Sequence, residues 1–299
     1  MVETFESLFE KTKKNGPKKI AVAVAQDEDV LGAVKLAYEN KIVDPILVGD
    51  EEKIREIAKE LNFDLSNIEV IDEKDGSLAA RKATELVSSG KACVLMKGLI
   101  DTSIIMKQVL DHEIGLRTGN VISHVALFEV PTYHKMFIVT DAAMLIAPDL
   151  NQKKGIIENA VSISHKLGVE TPKVAVLAAK EKVSEKMEAT VHAKLLKEMN
   201  ERGEIKGCVV DGPFALDNAV SKESARIKGI KSEVAGDADI LLVPDIEAGN
   251  VLYKALTFLA NAKSAGLIVG ARNPIVLTSR ADSEEAKLNS IVLATFLTN

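Results

Sequence analysis

Cysteine is scarce in this 299-residue chain: only Cys93 and Cys208 occur. Two cysteines build no disulfide framework. Each lies inside an apolar run, Ala92-Cys-Val-Leu-Met96 and Cys208-Val-Val210, so both read as buried structural thiols rather than nucleophiles. Long apolar runs are missing too. None reaches the ~18–20 residues that a membrane-spanning helix needs. The N-terminus, Met-Val-Glu-Thr-Phe-Glu, is acidic and lacks the apolar core of a secretory signal, so the expected location is cytoplasmic, with no membrane partner. No block of Lys and Arg leaves a nucleic-acid footprint, and the net charge is -6. The five histidines, His112, His124, His134, His165 and His192, show no HxH or HExxH spacing, so no metal site is expected. GxGxxG, the GxxxxGKS/T phosphate loop and the GxSxG elbow are all absent. That argues against a dinucleotide fingerprint, P-loop ATP binding and an α/β-hydrolase triad.

What is present is an alternation. Lys19–Val24, Asp44–Gly49, Ile68–Ile71 and Ala92–Met96 are short apolar runs, separated by helical patterns of ~12 residues, which predicts parallel β-α-β units. Val121–Val130 and Lys135–Val139 are separated only by Pro131-Thr-Tyr-His134. That gap is too short for a crossover and predicts an antiparallel hairpin. Alternation then resumes, with strands at Lys173–Leu177, Cys208–Asp211, Ile240–Val243, Leu267–Val269 and Ile275–Leu277. The length suits two domains of roughly 130–160 residues. No Gly/Pro/Ser-rich linker marks their junction. The expected division is 1–139 plus 284–299 against 140–283, the last helix returning to the first domain.

Chemistry-bearing residues gather at predicted strand ends: Lys97-Gly98, Asp141, Asp211-Gly212-Pro213, Pro244-Asp245 and Ser279-Arg280. In doubly wound sheets those ends surround the ligand crevice. A hydroxyl beside a permanent cation at Ser279-Arg280 suits an anionic ligand. Asp282-Ser283-Glu284-Glu285 then caps an amphipathic segment, Ala286–Leu297. Gly249 in Glu247-Ala-Gly-Asn250 either allows close backbone approach to a ligand or caps a turn. Arg117-Thr-Gly-Asn120 offers a guanidinium and extra donors, and reads equally well as a helix C-terminus.

Three blocks together carry a resemblance. Asp239-Ile-Leu-Leu-Val-Pro-Asp-Ile-Glu-Ala-Gly-Asn-Val-Leu-Tyr-Lys254, Asp211-Gly-Pro-Phe-Ala-Leu-Asp217 and Thr278-Ser-Arg-Ala-Asp-Ser-Glu-Glu285 resemble blocks of the phosphate acetyl/butyryl transferase family. The last two look more like its butyryl branch. The resemblance implies a fold of two doubly wound α/β domains with an interdomain cleft, an architecture like that of isocitrate and isopropylmalate dehydrogenases. It implies reversible transfer, butyryl-CoA plus phosphate giving butyryl phosphate plus CoA, in short-chain fatty acid metabolism. The resemblance further implies direct transfer, without metal, covalent acyl-enzyme or permanently bound cofactor, with coenzyme A as a substrate. Acyl-CoA, phosphate and acyl phosphate are the expected partners.

By the same resemblance Ser279 and Arg280 are catalytic. Asp245, Gly249, Asn250, Asp211, Arg117, Ser123, Thr102 and Ser103 bind substrate. The chain departs from the family at Ala286, where the acetyl branch is expected to place an Asp as base for the thiol. Glu285 and Asp282 are the nearby substitutes. Phosphate acetyltransferase is the alternative activity, and an NAD-dependent β-decarboxylating dehydrogenase is the alternative from another class. The apolar hairpin Val121–Val139 is the expected surface of a homodimer or higher homo-oligomer.

Overall fold

The computed structural model describes residues 1–279 and 281–298. They form two compact units, a terminal unit of Phe5–Asn120 with Ala265–Asn299 and a middle unit of Met1–Thr4 with Val121–Ser264. These bounds differ from 139/140 and 283/284 because the hairpin does not pair with the strands before it. Its second strand joins the ladder of the middle unit, and the strands at 263–276 return to the terminal unit.

In chain order the terminal unit contains α1 (Phe5–Lys14), β1 (Lys18–Ala23), α2 (Glu28–Glu39), β2 (Val43–Gly49), α3 (Glu51–Glu60), β3 (Glu69–Asp72), α4 (Gly76–Ser88), β4 (Val94–Lys97) and α5 (Thr102–Val109). The middle unit follows with β5 (Ser123–Glu129), β6 (Phe137–Thr140), α6 (Leu150–Lys166), β7 (Lys173–Leu177), α7 (Glu188–Glu201), β8 (Val209–Phe214), α8 (Leu216–Val220), α9 (Lys222–Ile227), β9 (Ile240–Leu242) and α10 (Ile246–Leu259). β10 (Lys263–Val269), β11 (Ile275–Val276) and α11 (Glu284–Leu297) lead back into the terminal unit.

Strand order in the terminal unit is β3-β2-β1-β4-β11-β10. Every pair is parallel except β10 with β11. Five residues separate those two strands, which is too few for a crossover. The winding reverses at β1, since β2 and β3 lie to one side of it and β4 to the other. At such a switch point a ligand crevice opens beyond the carboxyl ends of the strands. α11 packs against α2 and α1 and is buried on nearly every side, polar Lys287, Asn289, Ser290 and Thr295 included. It is therefore a core helix rather than an amphipathic one. Ser290 fits there because its Oγ donates to the Ala286 carbonyl at 2.7 Å and accepts the Gly266 N–H at 2.9 Å.

Strand order in the middle unit is β5-β6-β9-β7-β8, parallel apart from the β5–β6 hairpin. Both hairpin strands are buried almost throughout, and β6 lies between β5 and β9. The hairpin strands are thus not the exposed apolar surface that the sequence suggested. β8 runs on to Phe214, past the expected end at Asp211, with a register irregularity opposite β7 that absorbs Gly212-Pro213. Edge position lets β8 accommodate Pro213, which has no N–H to give to a ladder.

A charge cluster closes the amino-end side of this sheet. Asp237 accepts from His134 Nε2 at 2.7 Å, Lys173 Nζ at 2.5 Å and Lys135 Nζ at 3.2 Å. Burial works against the ionised carboxylate, but the hydrogen bonds from Lys173, His134 and Lys135 outweigh it and hold the carboxyl well below its ordinary range. A depressed folded pKa gives stability that is present above the unfolded value of ~3.9 and lost as pH falls toward the folded value. Asp237→Asn accordingly lowers stability at pH 7 by about 1–3 kcal/mol. Urea unfolding at pH 7 and at about pH 3 checks the sign, because the gap between variant and parent narrows at the lower pH. Equal gaps at both would contradict it.

Candidate active site

β4 and β11 run parallel, with Ile275 opposite Leu95 and Val276 opposite Met96, so both leave the sheet at the same edge. β4 ends at buried Lys97, whose Nζ donates to the Gly98 and Ile100 carbonyls at 3.3 and 3.0 Å. The chain turns sharply there because Gly98 N donates to Ala23 O and Leu99 N to Val24 O, both at 2.8 Å. α5 starts directly afterwards, with Thr102 half-buried and Ser103 exposed in its first turn. Its N-cap, Asp101, makes no side-chain capping bond, which leaves the first N–H groups of the helix to other acceptors.

Ser279 follows β11 and is exposed. Its N–H donates to Asp282 Oδ2 at 2.7 Å, and its Oγ accepts the Ala281 N–H at 3.3 Å. Asp282 N donates back to the Ser279 carbonyl at 3.1 Å. Asp282 is buried, and its carboxylate holds this turn. Ser283 caps α11 by accepting the Ala286 N–H at 3.2 Å. Ala286 is buried, and Glu285 is exposed in the first turn. The expected role of Arg280 falls on a residue outside the described ones.

Arg117 is exposed with its guanidinium 3.3–3.4 Å from the His112 ring nitrogens. Thr118 Oγ1 donates to Gly270 O at 2.6 Å, and Arg272 N donates to Leu116 O at 2.8 Å. These bonds tie the Arg117 segment to the β10–β11 connection, at the amino end of β11. Within the terminal unit, then, Ser279, Thr102 and Ser103 share one sheet edge, and the Arg117 backbone lies at the other.

In the middle unit the amino end of β5 meets the carboxyl end of β6. His124 N donates to Asp141 Oδ2 at 3.1 Å, and Asp141 Oδ1 accepts Ala143 N and Met144 N at 2.8 Å each. Ser123 Oγ is buried and accepts from Asn159 Nδ2 at 2.9 Å. Asp245 caps α10 through Ala248 N at 2.9 Å, and Asn250 is exposed one turn on. Gly249 packs on the chain itself: an added Cβ would stand 2.7 Å from Asp141 O and 2.9 Å from Ala142 Cα. Asp211 lies inside β8, bound to Lys197 Nζ at 2.8 Å. The side chains of Ser123 and Asp211, and the space above Gly249, are therefore taken up by the fold. Asp245 is half-buried and Asn250 is exposed.

Two groups at this edge escaped the sequence reading. Lys153, in the first turn of α6, is 3% exposed, and its Nζ sits 3.0 Å from His192 Nδ1 on α7. Burial lowers the Lys153 pKa against the attraction of Glu188, Asp245 and Asp149, and burial together with Lys153 lowers that of His192. A lysine near a helix start shows nothing in sequence that distinguishes it from a solvated one. Burial also pushes the Cys208 thiol up to about 11, consistent with a structural thiol. Among the described residues, no group of three or more His, Cys, Asp or Glu is arranged to hold a metal ion.

Comparison with known proteins gives the family. A family profile described as phosphate acetyl/butaryl transferase matches residues 3–80 and 76–295. The chain is 52% identical over 294 residues to the phosphate butyryltransferase of Clostridium beijerinckii, covering 98% of this chain and 97% of that one. It is 51% identical over 289 residues to the phosphate acetyltransferase of Thermotoga maritima, covering 97% and 98%. The crystal structure of a branched-chain phosphotransacylase from Enterococcus faecalis superposes with a TM-score of 0.83 at 36% identity, covering 94% of this chain and 99% of that one. By profile, by sequence and by fold, the chain belongs to the phosphate acetyl/butaryl transferase family.

Proposed function

We propose that this enzyme transfers a butyryl group between coenzyme A and inorganic phosphate. The observation that carries the reading is Ser279. It is an exposed hydroxyl at the carboxyl edge of a parallel sheet, on a turn held by a buried carboxylate, in a chain of this family. In the direction of acyl phosphate formation, a phosphate oxygen attacks the thioester carbonyl carbon. The tetrahedral oxyanion collapses, the C–S bond breaks, and CoA leaves as thiolate. Ser279 Oγ already accepts the Ala281 N–H, so its own hydrogen is available to donate to that oxyanion. Arg280, adjacent in sequence, is assigned to hold the phosphate dianion through paired charge-assisted hydrogen bonds. Thr102 and Ser103 share the edge of Ser279 and are assigned to substrate contact.

Of Glu285 and Asp282, exposed Glu285 is the carboxylate left for the role of base for the thiol. Ala286 has no proton acceptor and Asp282 is committed to the turn. A thiol of pKa ~8.5 is partly ionised at neutral pH, and a neighbouring guanidinium ionises it further. We place the enzyme in the cytoplasm as a homo-oligomer without a permanently bound cofactor. No helix among the described residues is long and apolar enough to cross a membrane.

A second reading, phosphate acetyltransferase, is favoured by the 51% identity to the Thermotoga maritima relative. The two differ by two methylenes, each worth about 1–3 kcal/mol in an apolar pocket. Initial rates with butyryl-CoA and acetyl-CoA at saturating phosphate separate them. The butyryl reading predicts a kcat/KM ratio of ~10 or more in favour of butyryl-CoA. An equal or higher value with acetyl-CoA would transfer the assignment to the acetyl reading.

A further inference from the structure

Lys287 is a cation inside the core of the terminal unit, 2% exposed. Its Nζ donates to the Asp282 carbonyl at 2.5 Å and lies 3.3 Å from Asp29 Oδ2 in the first turn of α2. Side chains on a helix lean toward its N-terminus. From the fourth residue of α11, Lys287 therefore reaches back past the Ser283 cap to the residue before it. That residue, Asp282, turns its carboxylate onto the Ser279 N–H at 2.7 Å. The links run without a gap from Asp29 through Lys287 and Asp282 to Ser279. A methionine would fill the same space without the penalty of burying an ammonium. What the ammonium adds is a directional grip on one carbonyl.

We infer that Lys287 is a positioning residue for Ser279, fixing Asp282 and through it the orientation of the Ser279 hydroxyl. The inference rests on the proposed transfer at Ser279. It gives Asp282 a holding role in place of the proton-accepting one, and gives α2 a part in setting the site through Asp29. A reacting group displaced by ~1 Å can lose ~100-fold in rate. Lys287→Met therefore lowers kcat by ~10- to 100-fold with the KM for each substrate nearly unchanged.

A double-mutant cycle separates positioning from general destabilisation. In the Ser279→Ala background, Lys287→Met has little left to remove, so the two losses do not multiply. Asp282→Ala, which removes the acceptor of the Ser279 N–H, serves where the methionine variant fails to fold, with the same expected lack of additivity. An Asp282 acting as base would instead multiply its loss with that of Ser279→Ala. Amide hydrogen exchange gives a readout independent of turnover, with protection of the Ser279 N–H falling in Lys287→Met. Full activity in Lys287→Met, losses that multiply, or unchanged Ser279 protection would each overturn the inference. A parent enzyme with no phosphate-dependent thiol release would overturn the proposed reaction instead, and the exchange measurement would still decide the role of Lys287.

Discussion

Ser279→Ala lowers kcat for acyl transfer by ~100-fold or more while the KM for butyryl-CoA stays close to that of the parent. The size follows from what the hydroxyl does. Its donor strengthens only as negative charge gathers on the carbonyl oxygen, so its removal penalises the transition state and not the bound substrate. The turn itself survives, because the bonds that build it use the Ser279 N–H and carbonyl. Alanine loses only the acceptor for Ala281 N, which lies in an exposed stretch where water replaces it. The variant thus remains folded, and thermal unfolding alongside steady-state rates verifies this. Arg280→Ala should show its loss chiefly as a raised KM for phosphate, since a guanidinium that holds the dianion holds it in the ground state as well. A Ser279→Ala enzyme with near-parental kcat would remove Ser279 from the chemistry.

Gly98→Ala carries the largest expected loss of stability. A Cβ there would stand 2.2 Å from Val24 O, 2.7 Å from Ala23 O and 2.9 Å from Val24 C. All three are backbone atoms at the last residue of β1 and the one after it, and the Gly98 and Leu99 N–H groups bind the same two carbonyls. No rotamer change relieves the overlap. β1 and β4 must separate at the switch point, breaking hydrogen bonds at the centre of the sheet. The cost is about 4 kcal/mol or more, in the exceptional range for single substitutions. In a chain of this size that lowers Tm by roughly 10 °C. Because α5 begins four residues later, Thr102 and Ser103 move with the turn. A variant within about 1 kcal/mol of the parent in urea unfolding would show that the turn yields where its geometry says it cannot.

The elements legible in sequence were those fixed by local pattern. Short apolar runs between ~12-residue helical segments gave the parallel strands of both units, and the four-residue gap at Pro131–His134 gave the hairpin. What depended on distant partners was not legible. The hairpin looked like an exposed edge because nothing near it in sequence announces that β6 pairs with β9, a hundred residues further on. α11 looked amphipathic because its polar residues resemble a solvent face. Lys287 and Ser290 instead satisfy their polar groups inside the core. The continuation of β8 past Asp211 was hidden by the usual turn meaning of Gly-Pro.

The site divides in the same way. The position of Ser279 after β11 was legible because a β-branched run stops there with a helix cap shortly after, and its role is proposed from the resemblance of three blocks to one family. Asp282 was visible as a carboxylate, but its engagement with the Ser279 backbone arises only in the folded turn. Lys153 and Lys287 were not singled out, since only tertiary packing makes a lysine on a helix buried. Gly249 was read as a point of close approach to a ligand or as a turn cap, whereas the group packed against it is the Asp141–Ala142 backbone.

The most direct test of the central claim is release of free thiol from butyryl-CoA, with and without inorganic phosphate, in the presence of EDTA. For a phosphate-dependent acyltransferase, release is rapid, requires phosphate, persists with EDTA and yields butyryl phosphate in amounts equal to the thiol. No phosphate-dependent release would contradict it.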